Sequence, residues 1–126
     1  MAVPWQTLAR VDTREGALEL RRRGERDFLI TIAGRVLMSS MTHRSEDALS
    51  RLGCAPLAGR KAPRVLVSGL GLGYSLRAAL DALPRDAKVT VAELNETVVA
   101  WCRGPIATLS QNALADPRVT VVLGDV

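Results

Sequence analysis

Apolar and polar positions alternate along the first third of the chain and then change period. Trp5–Val11, Ala17–Arg22, Phe28–Ile32 and Val36–Met38 read as short strands, separated by turn residues at Thr13–Gly16, Gly24–Asp27 and Gly34. Ser45 has the chemistry of a helix N-cap, with Glu46 and Asp47 in the first turn where the helix dipole favours anions. That helix is expected to run to Leu52 and stop at Gly53. A turn-rich connector, Pro56–Pro63, follows.

Beyond the connector the pattern becomes strand, helix, strand, helix, strand. Val65–Val67 is continuously apolar, as expected for a parallel strand covered on both faces. Leu76, Ala79, Leu80 and Leu83 share one helical face, and Pro84 marks the end of that helix. Lys88–Glu93 is the second strand and Glu96–Cys102 begins the second helix. Gly104 and Pro105 interrupt it, with a further turn expected to about Leu109, and Val119–Leu123 is the third strand. Right-handed crossovers place the strands in the order 3-2-1. The expected architecture is α/β. An incomplete Rossmann-like parallel sheet (64–126) follows a small antiparallel β-domain with one helix (1–55) and a linker (56–63).

Composition narrows the class. The chain has 126 residues, 48% of them hydrophobic, and a mean hydropathy of +0.12, which excludes a disordered segment. No apolar run approaches a membrane span, and the start Met1-Ala2-Val3-Pro4-Trp5 lacks a signal-peptide core, so a cytoplasmic protein is expected. Cys54 and Cys102 are far apart and read as reduced, partly buried thiols.

The net charge of +4 is uneven. Residues 1–64 carry twelve Lys/Arg against seven Asp/Glu, whereas residues 65–126 carry five against six. Arg21, Arg22, Arg23 and Arg26 are the densest basic cluster. They fit either a polyanion site or the solvated edge of a hairpin, where charge discourages edge-to-edge pairing. One Tyr, one Phe and two Trp leave little for base stacking, so nucleic acid is the weaker alternative.

Candidate chemistry concentrates in Val65–Gly73 and Glu93. A strand feeding a glycine-alternating turn, with an acid at the end of the next strand, is how a parallel sheet builds a nucleoside site. Gly69, Gly71 and Gly73 let backbone approach a ligand, and Glu93 can accept from vicinal ribose hydroxyls. A dinucleotide fingerprint needs a third glycine where Tyr74 stands. The spacing present suits an adenosyl sulfonium better than a pyrophosphate. Asp125, ending the third strand, is placed to accept from an adenine amino group. The bland alternatives are a tight turn without ligand and an exposed strand-end acid.

At these residues the chain resembles the spermidine synthase family, polyamine aminopropyltransferases on the class I adenosylmethionine-dependent methyltransferase fold. The matching segments are 64–67, Leu76-Arg77, 88–96 with Val98-Val99, and Asp116-Pro117-Arg118-Val119 through Gly124-Asp125. Ile32-Ala33-Gly34 is a looser match to that family's small β-domain. The resemblance covers the chain but only the N-terminal part of the family. It implies S-adenosylmethionine or its decarboxylated form as co-substrate, held by Gly69, Gly71, Gly73, Tyr74, Glu93, Leu94 and Asp125.

Departures from the family bear on the reaction. Leu72 stands where the family has an Asp that holds the aminopropyl amine. Leu37-Met38-Ser39-Ser40 and Ser45-Glu46-Asp47 replace the family's Gln and its Tyr-His pair. The family's catalytic Asp lies on a fourth strand, beyond Val126. His43, the single histidine, reads as a helix-entry residue, Cys102 as a packing group, and no metal-ligand spacing is present.

Three functions therefore compete: a transferase of aminopropyl or methyl groups, catalytically incomplete as this chain; a non-catalytic adenosyl-binding or dimerising module; and a basic nucleic-acid-binding domain. A first strand without its usual outer neighbour predicts a homodimer or a missing C-terminal half.

Overall fold

The structure, a computed structural model, describes residues 2–125. The chain divides into two compact units at His43/Arg44.

The first unit is an antiparallel sheet in the order β1 (Gln6–Thr13), β2 (Gly16–Arg23), β3 (Asp27–Ile32) and β4 (Arg35–Ser39). Period-2 alternation gives it one apolar face: Leu18 opposes Ile32 and Leu20 opposes Ile30, all buried. The β3–β4 hairpin closes over Ala33 and Gly34, at φ 48° and 79°. Positive φ at both central positions is the turn that matches strand twist. Arg23 pairs with Asp27 at 3.0 Å and lies over the Trp5 ring, 4.7 Å from its centroid. The arginine cluster departs from the sequence expectation. Arg21–Arg23 lie on β2, which is paired on both sides, so they are not the edge of a hairpin. All three are half-buried, and the Nε of Arg21 and of Arg22 is withdrawn from solvent.

The second unit begins with α1 (Arg44–Cys54) and continues through β5 (Arg64–Ser68), α2 (Tyr74–Ala82), β6 (Lys88–Glu93), α3 (Glu96–Arg103) and β7 (Val119–Leu123). Short 3-10 turns at Ala107–Ser110 and Ala113–Ala115 lead from α3 toward β7. The sheet is parallel in the order β5-β6-β7, with Val67, Val91 and Val121 in register. The predicted face of α2 is the buried one: Leu76, Ala79 and Leu80 are at most 2% exposed. Cys54 and Cys102 are free, buried thiols.

Two local expectations change. Ser45 is not the cap: the helix starts at Arg44, and the Ser45 hydroxyl donates to the Glu46 carboxylate at 3.2 Å. Gly53 does not stop the helix, which runs to Cys54 and passes directly into a 3-10 turn at Ala55–Leu57. Whereas 1–55 was expected to form the first domain, the structure groups α1 with the parallel sheet, where it packs along α2.

The parallel sheet is also covered differently. Val89 and Val91 are at most 1% exposed, yet Leu66 is 57% exposed and Val122 47%. Only one face is covered among the described residues. The physical reason is topological: two right-handed crossovers that step in the same direction put both helices on one side. No helix of the described residues is long and apolar enough to cross a membrane.

Candidate functional site

The candidate site lies at the carboxyl ends of the parallel strands, where open α/β sheets bind ligands. The β5 strand runs into a loop whose three glycines all have positive φ: Gly69 88°, Gly71 56° and Gly73 89°. They serve different ends. A side chain at Gly73 would place its Cβ 2.8 Å from the Ser110 Cβ, so Gly73 is required by packing. A Cβ at Gly69 would meet nothing within 4 Å, so this glycine opens onto space a ligand can use. The Gly69 N–H bonds the Ala92 carbonyl at 2.7 Å and the Gly73 N–H bonds the Leu70 carbonyl at 2.9 Å, which fixes the loop. Leu70 and Leu72 are 3% and 4% exposed. The loop therefore turns its side chains into the core and offers a ligand its backbone.

Glu93 ends β6 and is 8% exposed. Its Oε1 accepts the Leu70 N–H at 2.9 Å and its Oε2 accepts the Asn95 N–H at 2.8 Å. Its own carbonyl accepts the Gly124 N–H at 2.9 Å. A strand-end glutamate thus ties together the turns that follow all three strands. The bonds also leave capacity, since two carboxylate oxygens carry about four acceptor sites in all. Asn95 in turn caps α3, its Oδ1 accepting the Thr97 N–H at 2.9 Å.

The other predicted residues surround this centre. Tyr74 is the first residue of α2 and half-buried; burial and then the charge of Asp47 raise its phenol pKa. Leu94 is 74% exposed beside Glu93, and Leu123, opposite Glu93 on β7, is 54% exposed. Asp125 is exposed just beyond the end of β7. The order Gly69–Gly73, Glu93, Asp125 along the mouth is set by the strand order β5-β6-β7. His43 directly precedes α1 and is half-buried.

Sequence reasoning did not foresee the part played by Cys102. Its thiol donates to the Gly71 carbonyl at 3.2 Å, beneath the loop. Burial, with Glu93 adding to it, pushes its pKa up to about 12, so the thiol stays protonated and is a donor rather than a nucleophile. The glycine spacing and the apolar α3 pattern gave no signal for this bond, which spans 31 residues. A broad groove lined by Arg64, Lys88, Arg118 and Thr120 lies at the opposite, amino ends of the strands. Open α/β sheets bind ligands at the other end, where Gly69–Gly73 and Glu93 lie.

Among solved structures, the fold is similar to that of spermidine synthase from Thermotoga maritima, at a TM-score of 0.73 and 16% identity, covering 95% of this chain and 40% of that one. It is equally similar to a spermidine synthase in complex with the transition state analogue AdoDATO, with the same TM-score and identity, covering 41% of that chain. At this identity the likeness is one of fold. The chain spans about two-fifths of the length of those proteins. The expected fold, an antiparallel β-domain followed by a Rossmann-like parallel sheet, is the one observed. No protein-family model matches the chain, and no curated protein does.

Proposed function

We propose that this chain is an adenosyl-binding portion of a spermidine-synthase-like transferase, taking S-adenosylmethionine or its decarboxylated form as donor of an aminopropyl or methyl group. The observation that carries this reading is the buried Glu93 carboxylate. It is held by the Leu70 and Asn95 N–H groups at the carboxyl end of β6, beside a positive-φ glycine loop, and these bonds leave it acceptor capacity. Preorganised acceptors cost a ligand little reordering, which is how a small site gains affinity. In this reading Gly69 admits the ligand, Glu93 takes the ribose hydroxyls and Asp125 takes the adenine amino group. Leu94 supplies apolar contact.

Transfer from a sulfonium is an in-line displacement at carbon that asks the protein for positioning, and for a base when the nucleophile is a protonated amine. Cys102 is protonated and bonded to the Gly71 carbonyl, so it does not supply that base, and the aliphatic Leu72 offers no carboxylate to hold the amine. This favours binding as the function carried by the chain itself, and it keeps a non-catalytic adenosyl module as the second reading. The open face around Leu66 supports assembly with further β-structure or with a second copy. Light scattering tests the second copy, and a monomer at every concentration would count against it.

Isothermal calorimetry with S-adenosylmethionine, its decarboxylated form and methylthioadenosine tests the central reading. Binding of the adenosyl series is expected. No heat with any of the three at millimolar concentration would sink both adenosyl readings.

A further inference from the structure

One edge of the parallel sheet lacks the usual protection against pairing. Among the described residues β7 has a strand neighbour on one side only, β6. Just before the strand the Arg118 carbonyl accepts the Val89 N–H, and just after it the Gly124 N–H donates to the Glu93 carbonyl. Both bonds point toward β6. Backbone groups alternate sides along a strand, so Val119, Val121 and Leu123 turn theirs to the open edge. Edges that stay alone carry charge, proline or a bulge. Val119–Leu123 reads Val-Thr-Val-Val-Leu, carries no charge or proline, and pairs with β6 in unbroken register. The opposite edge, β5, opens with Arg64.

The side chains beside the β7 edge form a stripe that matches itself after a half-turn. Glu96, Val99, Ala100 and Arg103 stand at i, i+3, i+4 and i+7 on α3 and border a groove with Val121 and Leu123. Leu123 lines this α3 side of the strand and is still 54% exposed, so the helix leaves the margin open. Glu96 and Arg103 are exposed at opposite ends of the stripe, and the small Ala100 is exposed between them. Neither charged residue holds an ion pair among the described residues. Because α3 starts after the carboxyl end of β6 and runs back, Glu96 lies toward the carboxyl end of β7 and Arg103 toward its amino end.

We propose that a second copy of this chain pairs here about a twofold axis through Val121, β7 antiparallel to β7. Val121 exchanges both backbone bonds with Val121 of the second copy, and each Leu123 N–H reaches the opposite Val119 carbonyl. The same rotation brings Glu96 of each copy to Arg103 of the other, with Val99 and Ala100 between the two ion pairs. Such an interface is isologous and closes at two copies. It does not rest on the adenosyl reading, and it places the second copy at β7 instead of at the open face around Leu66.

Sedimentation equilibrium over a concentration series tests it, with circular dichroism to establish that each variant folds. The chain is expected to dimerise. Glu96→Lys and Arg103→Glu each set like charges at both contacts and should raise the dissociation constant by about tenfold to a hundredfold. Mixing the two variants restores opposite charges at both contacts, so a mixed dimer should form as readily as the unmodified one. The double variant Glu96→Lys/Arg103→Glu should likewise dimerise with itself. Single losses that neither mixing nor the double exchange restores would overturn the proposal. A dimer indifferent to both single substitutions would also overturn it, while leaving a second copy at the Leu66 face in place. A chain monomeric at every concentration would remove both.

Discussion

The two ends of the parallel sheet each hold a charged side chain that reaches across elements to backbone groups, and they use it differently. At the amino end, the Arg118 Nη1 donates to the carbonyls of Leu80, Leu83 and Pro84, which closes the open end of α2. Its Nε and Nη2 both bond Asp116, at 3.0 and 2.8 Å. All three guanidinium nitrogens are engaged within the protein. At the carboxyl end, Glu93 accepts two N–H groups and keeps about half its acceptor capacity. A charged group whose bonds are all consumed internally is a fastener. One with capacity left at the mouth of a sheet is a fastener that can also receive a ligand.

That contrast breaks most directly at Arg118. Arg118→Met leaves Asp116, whose side chain is 18% exposed, with the backbone N–H of residue 118 but no guanidinium, and takes the donor from the carbonyls that end α2. A loss of about 2–4 kcal/mol in unfolding free energy is expected, read by urea denaturation, with methylthioadenosine affinity unchanged. A parallel fall in affinity would show that the amino end also shapes the site.

Glu93→Ala should move both readouts. Losing charge-assisted bonds of about 1.5–3 kcal/mol each weakens adenosyl binding roughly tenfold to several hundredfold. Stability falls as well, because the Leu70 and Asn95 N–H groups lose their acceptor. Stability lost with affinity retained would reduce Glu93 to a second Arg118.

A smaller effect separates the ends by pH. The Arg118 guanidinium, first through its hydrogen bonds to the side chain, holds the Asp116 pKa at about 2 against an ordinary 3.8. A depressed folded-state pKa adds stability that is complete above the ordinary value and is lost as pH falls from about 4 toward 2. Thermal melts across this window should show that loss in the unmodified chain and a shallower one in Asp116→Asn. Equal slopes would place the acid sensitivity elsewhere.

Much of the fold was legible in the residues. The α2 face of Leu76, Ala79 and Leu80, the β6 and β7 boundaries and the parallel order followed from periodicity and crossover handedness. The misread positions share a cause. Ser45 and Gly53 have the right chemistry to start and stop a helix, but local preference there is worth only about 1 kcal/mol. The helix instead starts at Arg44 and runs past Gly53 into the 3-10 turn at Ala55–Leu57. Arg21–Arg23 looked like an edge because charge usually avoids inner strands, yet β2 is paired on both sides.

The sequence alone determined which residues could serve a nucleoside: glycines able to take positive φ, an acid at the end of the second strand and another beyond the third. These are local properties, written in residue type and spacing. Tertiary structure alone decided how they are used. It made Gly73 a packing requirement and Gly69 an opening, turned Leu72 inward, and set Cys102 under Gly71. It also joined Glu93 to Leu70 across 23 residues. Such bonds depend on the register between strands and on the side of the sheet to which the helices cross, and neither is encoded in any single segment.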